Sequence, residues 1–129
     1  MKLIFTDPEA PVLFVDSSGL VQGANLAARG LLQKTLEDIV GQPGGNVMNC
    51  CNAAQPNGCG QQPPCQHCVL RNSVMDTHRT GNPHMKVQAC LPMDPGPPPI
   101  NMILCVSTAL HQGLVLVKVH ELEMAQSLN

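Results

Sequence analysis

The sequence predicts an α+β domain in which a five-stranded antiparallel sheet carries short helices on one face. Three observations indicate this class. Two short apolar runs flank a Ser-Gly turn at 11–24, one longer helical pattern covers 65–80, and three strand-like runs follow between 85 and 122. Two strands, a block of helices and three further strands are typical of one antiparallel sheet with its helices on the same side.

The first elements are a hairpin and two brief helices. Residues 11–16 and 20–24 are apolar runs around Ser17, Ser18 and Gly19, which predicts a β-hairpin. Asn25 is a good N-cap for an amphipathic helix that ends between 30 and 34. Thr35 caps a second helical turn, which has acidic residues at its start and stops at Gly41.

The later elements are a helix and three strands. The helix at 65–80 lies between a Pro-Pro pair and Gly81. Strands are predicted at 85–91, 100–110 and 114–122, divided by a proline-rich loop and by Gly113. Residues 123–129 are expected to begin a linker helix leading out of the domain.

The segment from about 42 to 68 has a different character from the rest of the chain. Residues 42–64 of it are rich in Pro, Gly and Asn and have no usable period, and the whole insertion, with the start of the following helix, holds five of the seven cysteines within 19 residues. A loop of this length is uncommon in a small domain unless it is functional. We therefore expect covalent or coordinated links to replace a hydrophobic core here.

Composition limits the function classes. The 129 residues fit one domain, with a core at about 11–122. A net charge of −2 and no basic run argue against nucleic acid, and no apolar stretch suits a membrane, so a cytoplasmic domain is expected. Charged residues are only 12%, against about 25% in an average domain, which suggests a surface covered by a partner or a second copy.

The opening of the chain resembles that of PAS domains. The stretch 12–21 gives a hydrophobic strand, an Asp-x-x-Gly turn at Asp16 and a second strand, and Asn25 then begins a helix. Residues 36–43 are similar to the acidic-hydrophobic-Gly segment that follows in that family. The resemblance covers about 11–122. It implies a sensory module of bacterial signal transduction without catalytic residues, paired with a second copy and acting on a histidine kinase or similar output.

A second resemblance concerns the cysteines. A cysteine after Asn49, then Gly58-Cys59-Gly60 and Cys65-Gln66-His67-Cys68, is similar to a cysteine-bearing subset of PAS domains in bacterial sensor histidine kinases. The resemblance implies a metal centre with the ligands Cys50, Cys59, Cys65 and Cys68, and Cys51 is an alternative to Cys50. The dipole of the helix at 65–80 favours thiolates at its start. Four thiolates suit zinc and an iron–sulfur cluster equally, and the spacing does not separate the two.

Other cofactors are disfavoured, and alternatives to metal sensing stay open. Val69 stands where covalent c-type haem needs a histidine, and no flavin-reactive motif is present. His78 and His84 are possible axial ligands of non-covalent haem, although solvated or capping roles are commoner for them. Cys90 and Cys105 are expected to be buried small hydrophobes. Three alternatives to metal sensing remain. The cysteines can carry out thiol chemistry, or a zinc ion bound by them can hold the loop of an interaction and dimerisation module in place. A PAS cavity would instead suit a small ligand.

Overall fold

The computed structural model describes residues 2–6, 9–50, 68–94 and 96–126. Within them the chain forms seven strands and four helices. The strands are β1 (Lys2–Ile4), β2 (Val12–Val15), β3 (Leu20–Ala24), β4 (Gln42–Pro43), β5 (His84–Asp94), β6 (Ile100–His111) and β7 (Leu114–Gln126). The helices are α1 (Leu26–Leu32), α2 (Leu36–Ile39), α3 (Gly44–Val47) and α4 (Val69–Thr80).

The strands form one antiparallel sheet in the order β4-β3-β2-β7-β6-β5. β7 is central: it pairs with β6 along one edge, and with both β2 and the short β1 along the other. The five longer strands are those that the sequence predicts. β1 and β4 are additional, and at three and two residues they are too short for a period-2 pattern to reveal them.

The β2–β3 hairpin turns through Gly19, whose φ of +82° suits glycine. Asp16 Oδ1 accepts hydrogen bonds from the N–H groups of Ser18 and Leu20, and Oδ2 accepts one from Gln22 Nε2. Desolvation raises the pKa of Asp16, but these three hydrogen bonds outweigh it and the pKa is lowered overall. The lowered pKa favours the ionised form of Asp16, and this carboxylate stabilises the turn of the Asp-x-x-Gly sequence.

Asn25 ties this hairpin to the first helix. Its Oδ1 accepts hydrogen bonds from the N–H groups of Val12, at 3.0 Å, and Ala28, at 2.9 Å. Its Nδ2 donates to the carbonyl of Ala10 at 2.9 Å. The predicted N-cap therefore satisfies one donor of α1, the N–H of Val12 in β2 and the carbonyl of Ala10 just before that strand.

The core lies on one side of the sheet. The helices contribute Ala28, Ile39, Val47 and Val74, all buried against sheet residues such as Val15, Leu104 and Val115. Alternation along each strand places the intervening side chains on the opposite side. We call that opposite side, which no described helix covers, the open face.

β7 differs from its prediction at both its middle and its end. Cys105 pairs with Glu121 but Val106 pairs with Val119, so His120 is an extra, bulged residue. The strand continues to Gln126, where the sequence predicts a linker helix from 123, because residues 123–126 pair with β6 and Glu123 also pairs with Lys2 of β1. Residues 127–129 lie outside the described residues. Among the described helices, none has the length and apolar character needed to cross a membrane.

Candidate functional site

The predicted metal ligands fall partly within the structure. Cys50 and Cys68 are described, whereas Cys51, Cys59 and Cys65 lie outside the described residues. In the described ranges no three potential metal-ligating side chains come together. The four-cysteine centre therefore remains a prediction, and what the structure provides is the placement of its first and last members.

Cys50 follows a helix end that is anchored in the core. Val47 and Met48, at the end of α3, are both buried. Asn49 then adopts a left-handed conformation with φ of +62°, which asparagine tolerates better than most residues. The Cys50 N–H donates to the carbonyl of Gly45 at 2.8 Å. Cys50 is thus held at a defined position where the cysteine-rich segment begins.

Lys34, from a different part of the chain, holds the end of α3 just before Cys50. Its Nζ donates to the carbonyls of Asn46 and Val47, at 3.0 and 2.9 Å, and to Asn49 Oδ1 at 3.0 Å. An ammonium group has three donors, and a cation beside the last carbonyls of a helix is favourable. Sequence reasoning missed Lys34, because its partners lie 12 to 15 residues away and no local pattern marks them.

Cys68 is the N-cap of α4, which corrects the predicted helix start. The sequence predicts a helix from Cys65 with Cys68 in its first turn, but Cys68 has extended backbone angles and α4 begins at Val69. Its Sγ accepts a hydrogen bond from the N–H of Arg71 at 3.5 Å, so sulfur replaces the usual capping oxygen. Cys68 also packs against the core. Its thiol is therefore part of the structure that starts α4.

The other end of α4 is bonded to the sheet. Thr77, fully buried, donates its hydroxyl proton to the carbonyl of Asn82, so it accepts the hydrogen bond from the Thr108 hydroxyl at 2.7 Å. Thr108 in turn accepts from the N–H of His84 at 3.2 Å. This chain of hydrogen bonds joins α4 to β5 and β6. Motion of the helix is consequently resisted at a buried polar contact.

Both candidate haem ligands are engaged within the protein. His84 Nε2 lies 2.7 Å from Asp76 Oδ2, and His78 Nε2 lies 3.0 Å from the carbonyl of Gly113. His84 therefore bonds a carboxylate and His78 a backbone carbonyl, and haem ligation by either stays an untested possibility.

Asp76 is the acceptor in a small charged cluster. The hydrogen bond from His84 is the largest effect and holds the pKa of Asp76 below its ordinary value of 3.8. Desolvation, the second effect, raises the pKa, and the charge of Arg79, 2.6 Å away, lowers it further. The lowered pKa means that the ionised carboxylate is favoured in the folded state. Its contribution to stability is present above pH 3.8 and is lost as the pH falls through the lowered value.

We expect Asp76→Asn to destabilise the chain at about pH 6 and to have a smaller effect at about pH 3, because below pH 3.8 this carboxyl group takes up protons in the unfolded chain and the advantage of the folded state decreases. Urea denaturation of both proteins at each pH measures the difference. Asp94→Asn is a matched control, since among the described residues that carboxylate accepts one exposed turn hydrogen bond, from the N–H of Gly96. An Asp76→Asn effect that is equal at the two pH values would contradict the assignment.

Cys90 and Cys105 are not buried small hydrophobes, as the sequence analysis expected. Cys90 is exposed and Cys105 is partly exposed. They pair with Ile103 and Gln88 across the β5–β6 ladder, on the side opposite to the buried Ala89 and Leu104. Their apolar sequence neighbours belong to the core, but period-2 alternation turns the cysteines to the open face.

The open face carries a shallow groove of about 290 Å³ across β1, β5, β6 and β7. Lys2 and Lys86 line it together with Glu121, Glu123 and Cys105. Lys2 Nζ lies 3.2 Å from Glu121 Oε2. The groove therefore has charges of both signs, and it favours neither an anionic nor a cationic ligand.

No protein-family model and no curated protein matches this sequence. Solved structures do match. A domain of the sensory box sensor histidine kinase/response regulator from Geobacter sulfurreducens aligns with a TM-score of 0.55 and 13% identity, over 90% of this chain and 86% of that one. The PAS domain of nitrogen regulation protein NR(II) from Vibrio parahaemolyticus aligns with a TM-score of 0.49 and 17% identity, over 94% and 92% of the two chains.

The Geobacter sulfurreducens match, together with the strand order and the helices on one side of the sheet, identifies the architecture as a curled antiparallel sheet of the sensory-box type. The chain has the PAS fold. This confirms the fold that the sequence resemblance implies, and at this level of identity the likeness concerns the fold alone.

Proposed function

We propose that the chain is a sensory module of bacterial signal transduction that responds to redox state, oxygen or metal supply through its cysteine cluster. The observation that carries the proposal is the placement of Cys50 and Cys68, each held at the end of a helix that packs on the core. The similar domain from Geobacter sulfurreducens belongs to a sensor histidine kinase/response regulator, which supports a signalling role.

In this proposal the ligands are Cys50 (or Cys51), Cys59, Cys65 and Cys68. Thiolates suit either zinc or an iron–sulfur cluster, and a hydrogen bond from a backbone N–H to sulfur, as at Cys68, is a common feature of both. A metal bound there supplies a cross-link that changes with its redox state or its supply. The chain itself carries out no reaction; it works in the cytoplasm as a pair and regulates a histidine kinase or a similar output.

The chain's own residues offer a path for the signal. Displacement of Cys68 removes the cap of α4, a helix of 12 residues and about 18 Å. At its far end the Thr77–Thr108 hydrogen bond passes the movement to β6, whose neighbour β7 runs to Gln126. At the other end of the cluster, Lys34 holds the segment before Cys50. A change at Cys68 therefore reaches the sheet through α4, and a change at Cys50 reaches it through α3, which directly follows β4.

Hydrogen exchange tests the path. Comparing anaerobic protein with protein exposed to air or a chelator, we expect amide protection to fall in α4 and in β6 around Thr108. Thr77→Val is expected to keep the change in α4 and to reduce the change in β6. Thr80→Val is the matched control, because the hydrogen bonds of its hydroxyl within the described residues are local, to the carbonyl of Asp76 and from the N–H of Asn82.

Identical exchange before and after treatment would contradict the sensory proposal. It would favour a second candidate, a zinc-stapled interaction and dimerisation module, for which the open face is the specific supporting observation. In that case the metal holds the loop in place and carries no signal of its own.

A further inference from the structure

We propose that His120 makes the last part of β7 sensitive to pH. In its neutral form the ring accepts a hydrogen bond from Ser107 that holds the bulge of β7 in place. Protonation of the ring breaks that bond and weakens the pairing of residues 121–126 with β6. Histidine is the side chain whose charge changes between about pH 5 and 8, and this site lies apart from the cysteine cluster and needs no bound metal.

His120 lies where β7 changes its neighbours. β2 pairs with β7 as far as Lys118, and β1 pairs with it at residues 121–123. At the same point the register against β6 shifts by one residue. The carbonyl of His120 accepts a hydrogen bond from the N–H of Phe5 at 2.9 Å. The segment after His120 is therefore a separate unit of pairing, on which a change at the bulge can act without disturbing β2.

Ser107 joins this bulge to a second one, in β5. The register of β5 against β6 shifts between His84 and Val87, opposite Ser107. Ser107 Oγ accepts a hydrogen bond from the N–H of Lys86, inside that shift, at 2.9 Å. It also lies 2.7 Å from His120 Nε2. One hydroxyl group thus connects three strands where both outer strands depart from regular pairing.

The Ser107 hydroxyl sets the protonation state of the ring. Ser107 is only 8% exposed, so its hydroxyl proton needs an acceptor within the protein. Among the described residues, His120 Nε2 is the acceptor that Oγ contacts, since Lys86 offers an N–H donor. Ser107 therefore donates to Nε2, and the ring is neutral with its proton on Nδ1. A protonated ring donates from both nitrogens, so the serine proton would lose this acceptor.

The charges near His120 give protonation little support. His120 follows the buried Val119, so its bond to Ser107 lies on the open face. Within the described ranges, the titratable side chains of β1, β5, β6 and β7 on this part of the open face are Lys2, Lys86, Cys105, Lys118, Glu121 and Glu123. Three are cations and two are carboxylates, and Glu121 already pairs with Lys2 at 3.2 Å. These groups therefore do not offset the cost of a charged ring.

The direction of the pH dependence follows from the donor. We expect the hydrogen bond from Ser107 to hold the pKa of His120 below about 6.5, the value of an unperturbed histidine. The contribution of His120 to the pairing of residues 121–126 is then present above about pH 6.5. It is lost as the pH falls from there towards the lower pKa of the folded state, because the opened segment takes up the proton more readily.

Amide hydrogen exchange of residues 121–126 in the full chain, compared at about pH 7.5 and 5.5 after correction for intrinsic rates, tests the proposal. We expect wild-type protection to fall several-fold at the lower pH, and by at most about tenfold, since that pH is about one unit below the pKa of the opened state. His120→Gln should keep its protection at both pH values, because a neutral amide oxygen accepts from Ser107 throughout. His111→Gln, an exposed histidine at the end of β6, is the control and should behave like the wild type.

Ser107→Ala gives a second, independent measurement. NMR titration of the His120 ring should show a higher pKa in this variant than in the wild type, because the donor that favours the neutral ring is absent. The pH dependence of exchange in residues 121–126 should disappear with it.

Three results would overturn the inference: equal wild-type protection at the two pH values, an unchanged pKa of His120 in Ser107→Ala, or a pH dependence that persists in His120→Gln. The last result would place the titrating group elsewhere, as among the clustered cysteines. None of the three bears on whether the cysteines bind a metal, so the proposed function is judged separately. Circular dichroism of each variant at both pH values distinguishes local loosening of β7 from unfolding of the chain.

Discussion

Replacing Asn25 with alanine is expected to lower the free energy of unfolding by about 3 kcal/mol. The side chain makes three hydrogen bonds, to the backbone of Ala10, Val12 and Ala28, all in partly buried surroundings. Loss of an N-cap costs about 1 kcal/mol, and each backbone group left without a partner costs about 1 to 3 kcal/mol more where water cannot replace it. Denaturant unfolding measures the change.

Two control variants separate these contributions. Asn25→Ser keeps a capping oxygen for the N–H of Ala28 and removes the amide donor to Ala10 without setting a second acceptor against that carbonyl, so a smaller loss is expected. Thr35→Ala removes the exposed cap of α2, which makes no comparable contact with a distant strand, and should cost about 1 kcal/mol. If Asn25→Ala costs no more than Thr35→Ala, Asn25 acts as a helix cap alone and does not join the hairpin to α1.

The second large effect is expected at the cysteines. Cys68→Ser should lose most of the metal that the wild type binds, because it removes a ligand thiolate, whereas the serine hydroxyl still offers an acceptor at the N-cap of α4. Cys50→Ser and Cys51→Ser compared side by side decide which of the adjacent pair is a ligand. Metal analysis of protein purified without air gives the content of each.

Cys105→Ser is the matched control for these variants. This cysteine is partly exposed, lies on the open face and belongs to no predicted ligand set. It should keep the wild-type metal content. Equal loss in Cys105→Ser and Cys68→Ser would indicate general thiol chemistry and not a defined centre.

The elements predicted correctly from the sequence are those with strong local signals. α1 begins at Leu26 behind the Asn25 cap, and α2 has the full capping box that Thr35 and the acidic first turn suggest. The hairpin follows from two apolar runs around Asp16 and Gly19. In each case the residues that decide the structure lie within a few positions of one another.

The elements that were missed depend on distant contacts. Residues 123–126 contain good helix formers, yet they extend β7 because β6 offers unpaired backbone groups over the same length. Lys34 reaches carbonyls in α3, and Cys90 is exposed because strand pairing, not its apolar neighbours, sets its face. At the candidate site, sequence reasoning identified Cys50 and Cys68 but placed the start of α4 too early.

Anaerobic purification of the full chain, followed by a visible spectrum and analysis of iron, zinc and sulfide, tests the proposed cysteine centre most directly. The account predicts a metal bound by the cluster: broad absorbance at about 400 nm with iron and sulfide if it is an iron–sulfur cluster, or one colourless zinc per chain. Either result should be lost in Cys59→Ser. A wild-type protein that holds neither metal would contradict the proposal, and thiol chemistry would then be the interpretation of the five clustered cysteines.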